Sequence, residues 1–185
     1  MRRGLEQALD DYLVLLAQGG SREAFARLAA RWTPKLVAFA SRTLGTTEVA
    51  KDVVQDTWES AVRGLARLDD PARFRAWIYA IAARKCADAL RGKYRSTRIA
   101  ESAQAMLEPE ANAEDGANDR LDVAAALKRL PPEQRVAVSL YFGEELSVSE
   151  IAAITGAPEG TVKSRLFAAR KALREELGEE SHDKS

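Results

Sequence analysis

Leu5, Leu9, Leu13 and Leu16 recur at helical spacing until Gly19-Gly20 interrupts them, which predicts a first helix ending there. Ser21 is placed to cap a second helix carrying Phe25, Leu28, Trp32, Leu36 and Phe39 on one side. Gly45 ends it, and Pro34 predicts a kink or break within it. A third helix is expected from about Thr47 to Leu68, with Ala50, Val54, Trp58, Ala61 and Leu65 as its core stripe. Asp69-Asp70-Pro71 then opens a fourth, running to about Arg91 with Phe74, Ile78, Ile81 and Ala89 inward.

Residues 96–119 have few large apolar side chains to offset their ordering entropy and read as a linker. Beyond it, Leu121, Ala124, Ala125, Leu127 and Leu130 predict a short helix that Pro131-Pro132 terminates, and Pro132 starts another with Val136, Leu140 and Tyr141. Ser147 with Glu150 three residues on is a capping-box pattern, so a brief helix begins there. Gly156 is placed to end it in a left-handed cap before Pro158 starts a last helix to about Leu177. Short helix, tight glycine turn and longer helix form a helix-turn-helix pattern. No stretch alternates as a strand would. The expected fold is all-α: two small helical domains, a four-helix N-terminal one and a C-terminal helix-turn-helix one, joined by a flexible acidic linker. Their relative placement is expected to vary or to be fixed by a partner.

Charge gains meaning only by segment, because 28 Lys and Arg balance 28 Asp and Glu over 185 residues. Residues 63–95 hold nine basic and three acidic side chains, residues 96–119 one against six, and residues 158–174 five against one. Two basic stretches separated by an acidic spacer are the footprint of a polyanion binder with two contact points, or else ordinary solvated helix faces. One Cys excludes a disulfide framework and fits a reducing, cytoplasmic setting. The single His, and the lack of a P-loop or any metal-ligand spacing, give no catalytic residues, no metal and no cofactor. No run approaches the ~18 apolar residues of a membrane span. The start, MRRGLEQALDDY, does not read as a secretory signal.

Position on the helices sharpens the candidate chemistry. On the last helix Val162, Leu166, Ala169 and Leu173 share one face. Lys163, Ser164, Phe167, Lys171 and Arg174 lie opposite, with Arg165 and Arg170 flanking. Cations and a hydroxyl can engage phosphates and purine edges, and an outward Phe can touch a thymine methyl; alternatively Phe167 is covered by the tail or the linker. On the third helix Asp52, Gln55, Asp56 and Glu59 gather opposite the core stripe, either simply solvated or facing an arginine-rich partner. On the fourth, Arg73, Trp77, Arg84 and Arg91 line one flank. Aromatic stacking with basic neutralisation is how single strands are held, although Trp77 also suits the core.

Three segments resemble a known family: DVVQDTW at 52–58, FRAWIYAIAARKCADALR at 74–91 and LPPEQRVAVSLYFGEELSVSEIAAITGAPEGTVKSRLFAARKAL at 130–173. They are similar to bacterial RNA polymerase sigma factors of the extracytoplasmic-function type. The resemblance implies region 2 over 1–95, region 4 over 120–178, a linker between them at 96–119 and a polar tail at 179–185. It also implies a non-enzymatic protein that binds core RNA polymerase and promoter DNA and helps open the duplex, with an anti-sigma protein as a further partner and no small-molecule substrate or membrane insertion. By motif position, Asp52, Gln55, Asp56 and Glu59 would engage polymerase. Arg73, Trp77, Arg84, Lys85 and Arg91 would take the minus-ten element, and Lys163, Ser164, Arg165, Phe167, Arg170 and Lys171 the minus-thirty-five element. Many relatives carry Asn where this chain has Arg84, which bears on the captured base. They often carry Arg at the position of Ala168 and a basic residue at that of Tyr141, which bears on upstream contacts. The rival reading from the residues is a stand-alone helix-turn-helix regulator, which would need a dimerisation or effector element that the chain does not display.

Overall fold

The computed structural model describes residues 2–104 and 119–176. Among these the chain forms eight α-helices and no strand: α1 (Arg2–Gln18), α2 (Arg22–Leu44), α3 (Thr47–Gly64), α4 (Phe74–Gln104), α5 (Asp119–Arg129), α6 (Pro132–Val138), α7 (Val148–Thr155) and α8 (Glu159–Glu176). Local chemistry sets most boundaries. The Ser21 hydroxyl accepts from the Ala24 N–H at 3.2 Å at the start of α2, and Gly45 ends it at φ 77°. Asp70 accepts from the Ala72 N–H at 3.0 Å, seating the 3-10 turn Pro71–Arg73 that leads into α4.

Three expectations are revised. Pro34 neither ends nor splits α2, which is continuous over 23 residues. The Pro ring is exposed, and so is Ala30, whose carbonyl loses its helical partner and can turn to water. α1 buries Asp10, Leu13 and Val14, while Leu5 and Leu16 face outward. On that buried face the Asp10 carboxylate accepts from the Arg31 Nε–H of α2 at 2.8 Å. α4 passes Arg91 and continues to Gln104, through the first nine residues of the stretch read as linker; 105–118 lie outside the described residues, and the last residue of the stretch, Asp119, opens α5.

Helices α1 to α4 enclose an aromatic centre in which Trp32 meets Phe74 and Tyr79 edge-on at 5.5 and 5.9 Å, and Tyr79 meets Phe39 at 5.5 Å. Each such pair adds about 0.5–1.5 kcal/mol beyond area burial. The hydroxyls of Thr43 and Thr57, both buried, donate back to the carbonyls of Phe39 and Val53 at 2.9 and 2.7 Å. In the C-terminal half α8 lies on α5, α6 and α7.

The two halves are docked, contrary to the variable placement expected. α6 and α7 rest on α4, and the wide turn Ser139–Gly143 reaches α2. Val136, Leu140, Leu146, Ile151, Ile154 and Val162 of the C-terminal half join the same apolar cluster as the core of α1–α4. This explains why α4 buries far more than its expected stripe. Tyr79, Ala82, Ala83, Cys86, Ala87 and Leu90 are all covered, because the helix has neighbours on two sides.

Candidate nucleic-acid interface

The helix-turn-helix is built as the spacing predicts. The Glu150 N–H donates to the Ser147 hydroxyl at 3.3 Å and the Ser147 N–H to the Glu150 carboxylate at 2.8 Å, so two orphan donors at the start of α7 are satisfied reciprocally. Gly156 turns the chain at φ 67°, a conformation that costs other L-residues about 1–2 kcal/mol. α8 then fixes itself by Val162 and Ala169, both fully buried, with Leu166 and Leu173 half-buried beside them.

What remains is a wet, cationic face. Lys163, Ser164, Arg170, Lys171 and Arg174 are exposed, and Phe167 is 72% exposed. The Ser164 hydroxyl donates to the Thr161 carbonyl at 2.9 Å, so its lone pairs are what it can offer to a ligand. Lys171 lies 3.7 Å from Glu175, an exposed pair that DNA phosphate can displace at little cost. Arg165 is set apart from the group: it is half-buried and turned toward α4.

On α3, Asp52, Gln55, Asp56 and Glu59 are all exposed on one face. Among the described residues only a cation of α4 approaches them, Lys85, whose Nζ lies 3.9 Å from Asp56 Oδ2. The α4 candidates divide. Trp77, Arg84 and Arg91 line one wall of a 610 Å³ cleft, and Ala153, Ile154, Thr155 and Arg165 line the other. Lys85 turns to α3 instead, and Arg73 lies exposed in the turn before α4. Trp77 is half-buried, its ring 5.9 Å from Phe74, so it serves the core edge while presenting a face to the cleft. Arg91 is held by two acids, Asp88 at 2.6 Å and Glu133 of α6 at 3.2 Å.

Sequence reasoning missed a second polar constellation at the junction of the halves. The Glu144 carboxylate accepts from Arg42 of α2 and from the Tyr79 hydroxyl of α4, and its carbonyl accepts from Arg75 at 3.1 Å. Burial first, then this carboxylate, push the Tyr79 phenol well above its ordinary pKa. Arg135, nearly buried, donates to the Lys128 and Leu130 carbonyls at the end of α5 and, at 3.5 Å, to the Thr43 carbonyl in the last turn of α2. A cation among helix C-terminal carbonyls is favourably placed. The only local signal for any of these was a basic or acidic residue beside apolar ones.

Comparison with known proteins matches both halves of the chain to one family. Residues 28–96 match the family model for Sigma-70 region 2, and residues 120–173 match that for Sigma-70, region 4. The chain is 33% identical to the RNA polymerase sigma factor CarQ of Myxococcus xanthus over 86% of this chain and 92% of that one. It is 34% identical to the ECF RNA polymerase sigma factor SigM of Mycobacterium tuberculosis over 95% and 88%. Among solved structures, CnrH in complex with the cytosolic domain of CnrY superposes with a TM-score of 0.66 at 31% identity, covering 94% of this chain and 99% of that one. The sigma factor RpoE from Bartonella quintana, bound to the anti-sigma factor NepR, gives 0.64 at 28% identity, covering 86% and 98%.

Proposed function

Since the chain belongs to the sigma-70 family, in the extracytoplasmic-function group of RNA polymerase sigma factors, we propose that its three exposed polar faces divide the work of promoter recognition. It is a transcription initiation factor: it binds core RNA polymerase, directs it to specific promoters and assists their opening. Matches to both regions in the family's order disfavour a stand-alone regulator. The polymerase supplies the chemistry, so this chain acts in the cytoplasm without catalysis of its own.

The observation that carries the division of labour is the face of α8. Four residues are spent on burial, and cations, a hydroxyl and an exposed phenyl ring are left on the other side behind a glycine turn. In this reading residues 120–178 form the upstream reader, with Lys163, Ser164 and Phe167 at the base edges and Arg165, Arg170 and Lys171 on phosphates. Residues 1–95 form the polymerase-binding and minus-ten-binding domain. Asp52, Gln55, Asp56 and Glu59 meet arginines of polymerase. Trp77, Arg84 and Arg91 stack and neutralise the opened strand, with Arg73 and Lys85 at the margins. The linker, whose net charge repels DNA, would run along the polymerase in the channel that RNA later takes. CnrH and RpoE were each solved with a protein partner, an anti-sigma factor in the latter case, and a protein of that kind is the further partner expected here. Reconstitution decides the reading: core polymerase should transcribe a cognate promoter only when this chain is added. Transcription that does not depend on the chain would refute it.

A further inference from the structure

We propose that the outward face of α2 is a further nucleic-acid surface, a track that holds the phosphate backbone of duplex DNA without reading its sequence. α2 carries five basic side chains, Arg22, Arg27, Arg31, Lys35 and Arg42, against one acid, Glu23. Residues 158–174, which hold the upstream reader, have the same five against one. The excess is hidden in the total for the N-terminal half because the acids of α1 and α3 balance it. At about 100° per residue, Arg27, Arg31, Lys35 and Arg42 fall within about 80° of one another and form a row roughly 22 Å long. Ala30, Pro34 and Ala38 lie beside the row, all exposed and small, so a flat partner can approach it. None of these residues lines the cleft between α4 and α8, so the row is separate from both promoter readers.

The fold does not use up this charge. Asp10 meets Arg31 and Glu144 meets Arg42, yet both arginines stay partly exposed. Among the described residues no acid comes within ion-pair distance of Arg27 or Lys35; Lys35 sets its ammonium 4.5 Å over the Trp32 ring, which orders the cation without cancelling its charge. A DNA strand sets one phosphate about every 3.4 Å of axis, so a row of this length spans about six of them. Each cation can then find a phosphate in any register, which is what a contact blind to sequence requires. An acidic protein face would have to match one fixed spacing. A single strand is disfavoured for a different reason: the row presents no aromatic ring on which a base could stack. The helix also lacks Asn and Gln, the side chains that pair with adenine edges. By counterion release the row would add affinity for any duplex that passes the N-terminal half, and would steer it there.

Binding of the full chain to a random-sequence duplex of about 30 base pairs, followed by fluorescence anisotropy from about 50 to 200 mM salt, tests this. Arg27→Ala/Lys35→Ala removes two exposed cations that hold no acid, so helix content by circular dichroism should not change. The slope of log affinity against log salt should fall by about two units, and affinity at the lower salt by about tenfold or more. Arg22→Ala, on the same helix but about 140° from Arg27, should leave both nearly unchanged. Equal slopes for the double variant and the unaltered chain overturn the track. A comparable loss in Arg22→Ala overturns it too, because net charge alone would then be acting. A loss confined to a single-stranded oligonucleotide, or to affinity for core polymerase, overturns duplex DNA as the partner. Core-dependent transcription is read in parallel. Its absence for the unaltered chain would refute the functional reading, whereas its presence with equal salt slopes would refute only the track.

Discussion

Lys85 of α4 holds its ammonium 3.9 Å from the Asp56 carboxylate of α3, so the face assigned to polymerase and the helix assigned to the minus-ten element meet through one exposed ion pair. If an arginine of polymerase takes Asp56, as proposed above, Lys85 would be freed for DNA backbone, and the two bindings would be coupled through this pair.

Asp56→Arg should therefore weaken core binding by about tenfold or more, by placing a cation before both Lys85 and the partner's arginines. Stability should hardly move, because an exposed pair of this kind is worth about 0–1 kcal/mol. Competition against the unaltered chain for core polymerase, alongside urea unfolding, separates the two effects. Equal core affinity would remove Asp56 from the interface.

Two glycines near the helix-turn-helix should respond with opposite signs. A Cβ on either Gly156 or Gly160 meets nothing within 4 Å, so sterics are equal and only backbone conformation differs. Gly156 lies at φ 67°, and Gly156→Ala should cost about 1–2 kcal/mol. Gly160 lies in the first turn of α8, and Gly160→Ala should stabilise by about 0.4–1 kcal/mol. Urea midpoints measure both, and a stabilising Gly156→Ala would mean the turn has another conformation in solution.

The same segment shows why some of the molecule was legible in sequence. Ser147, Glu150 and Gly156 act on backbone groups within three or four residues, and the α8 stripe repeats within one helix, so local spacing contains all the information. Leu5 and Leu16 mislead because the face of α1 that is covered, with Asp10, Leu13 and Val14, depends on how it packs on α2. Glu144 was invisible for a stronger reason. It sits in a polar stretch, FGEELS, and its side-chain partners Tyr79 and Arg42 lie 65 and 102 residues away. The acidic α3 face was found because exposure followed from the core stripe opposite, whereas its contact with Lys85 depended on how α3 and α4 pack.

Cys86 should be chemically silent. It is fully buried on α4, and desolvation pushes its thiol up to about 12. At pH 8 only about one molecule in ten thousand would carry the reactive thiolate. An aromatic disulfide reagent should label the folded chain more than about a thousandfold more slowly than the urea-unfolded chain, and only through unfolding. Rapid labelling under native conditions would show that this face of α4 opens without global unfolding.

Lys163 offers the sharpest test of the upstream reader. It is exposed in the second turn of α8, beside Ser164 and on the side away from buried Val162 and Ala169. Truncation to Ala removes no core contact, so folding should be unaffected and any loss belongs to DNA. If the ammonium reads a guanine edge, Lys163→Ala should cost about 1–3 kcal/mol, concentrated at one base pair of the upstream element. If it meets a phosphate, all sequences should weaken alike and the salt slope should fall by about one unit. Binding to cognate and scrambled upstream elements at two salt concentrations distinguishes these outcomes. Should affinity and slope both stay unchanged, α8 does not enter the groove by its first turns, and the assignment of the C-terminal domain as the upstream reader fails.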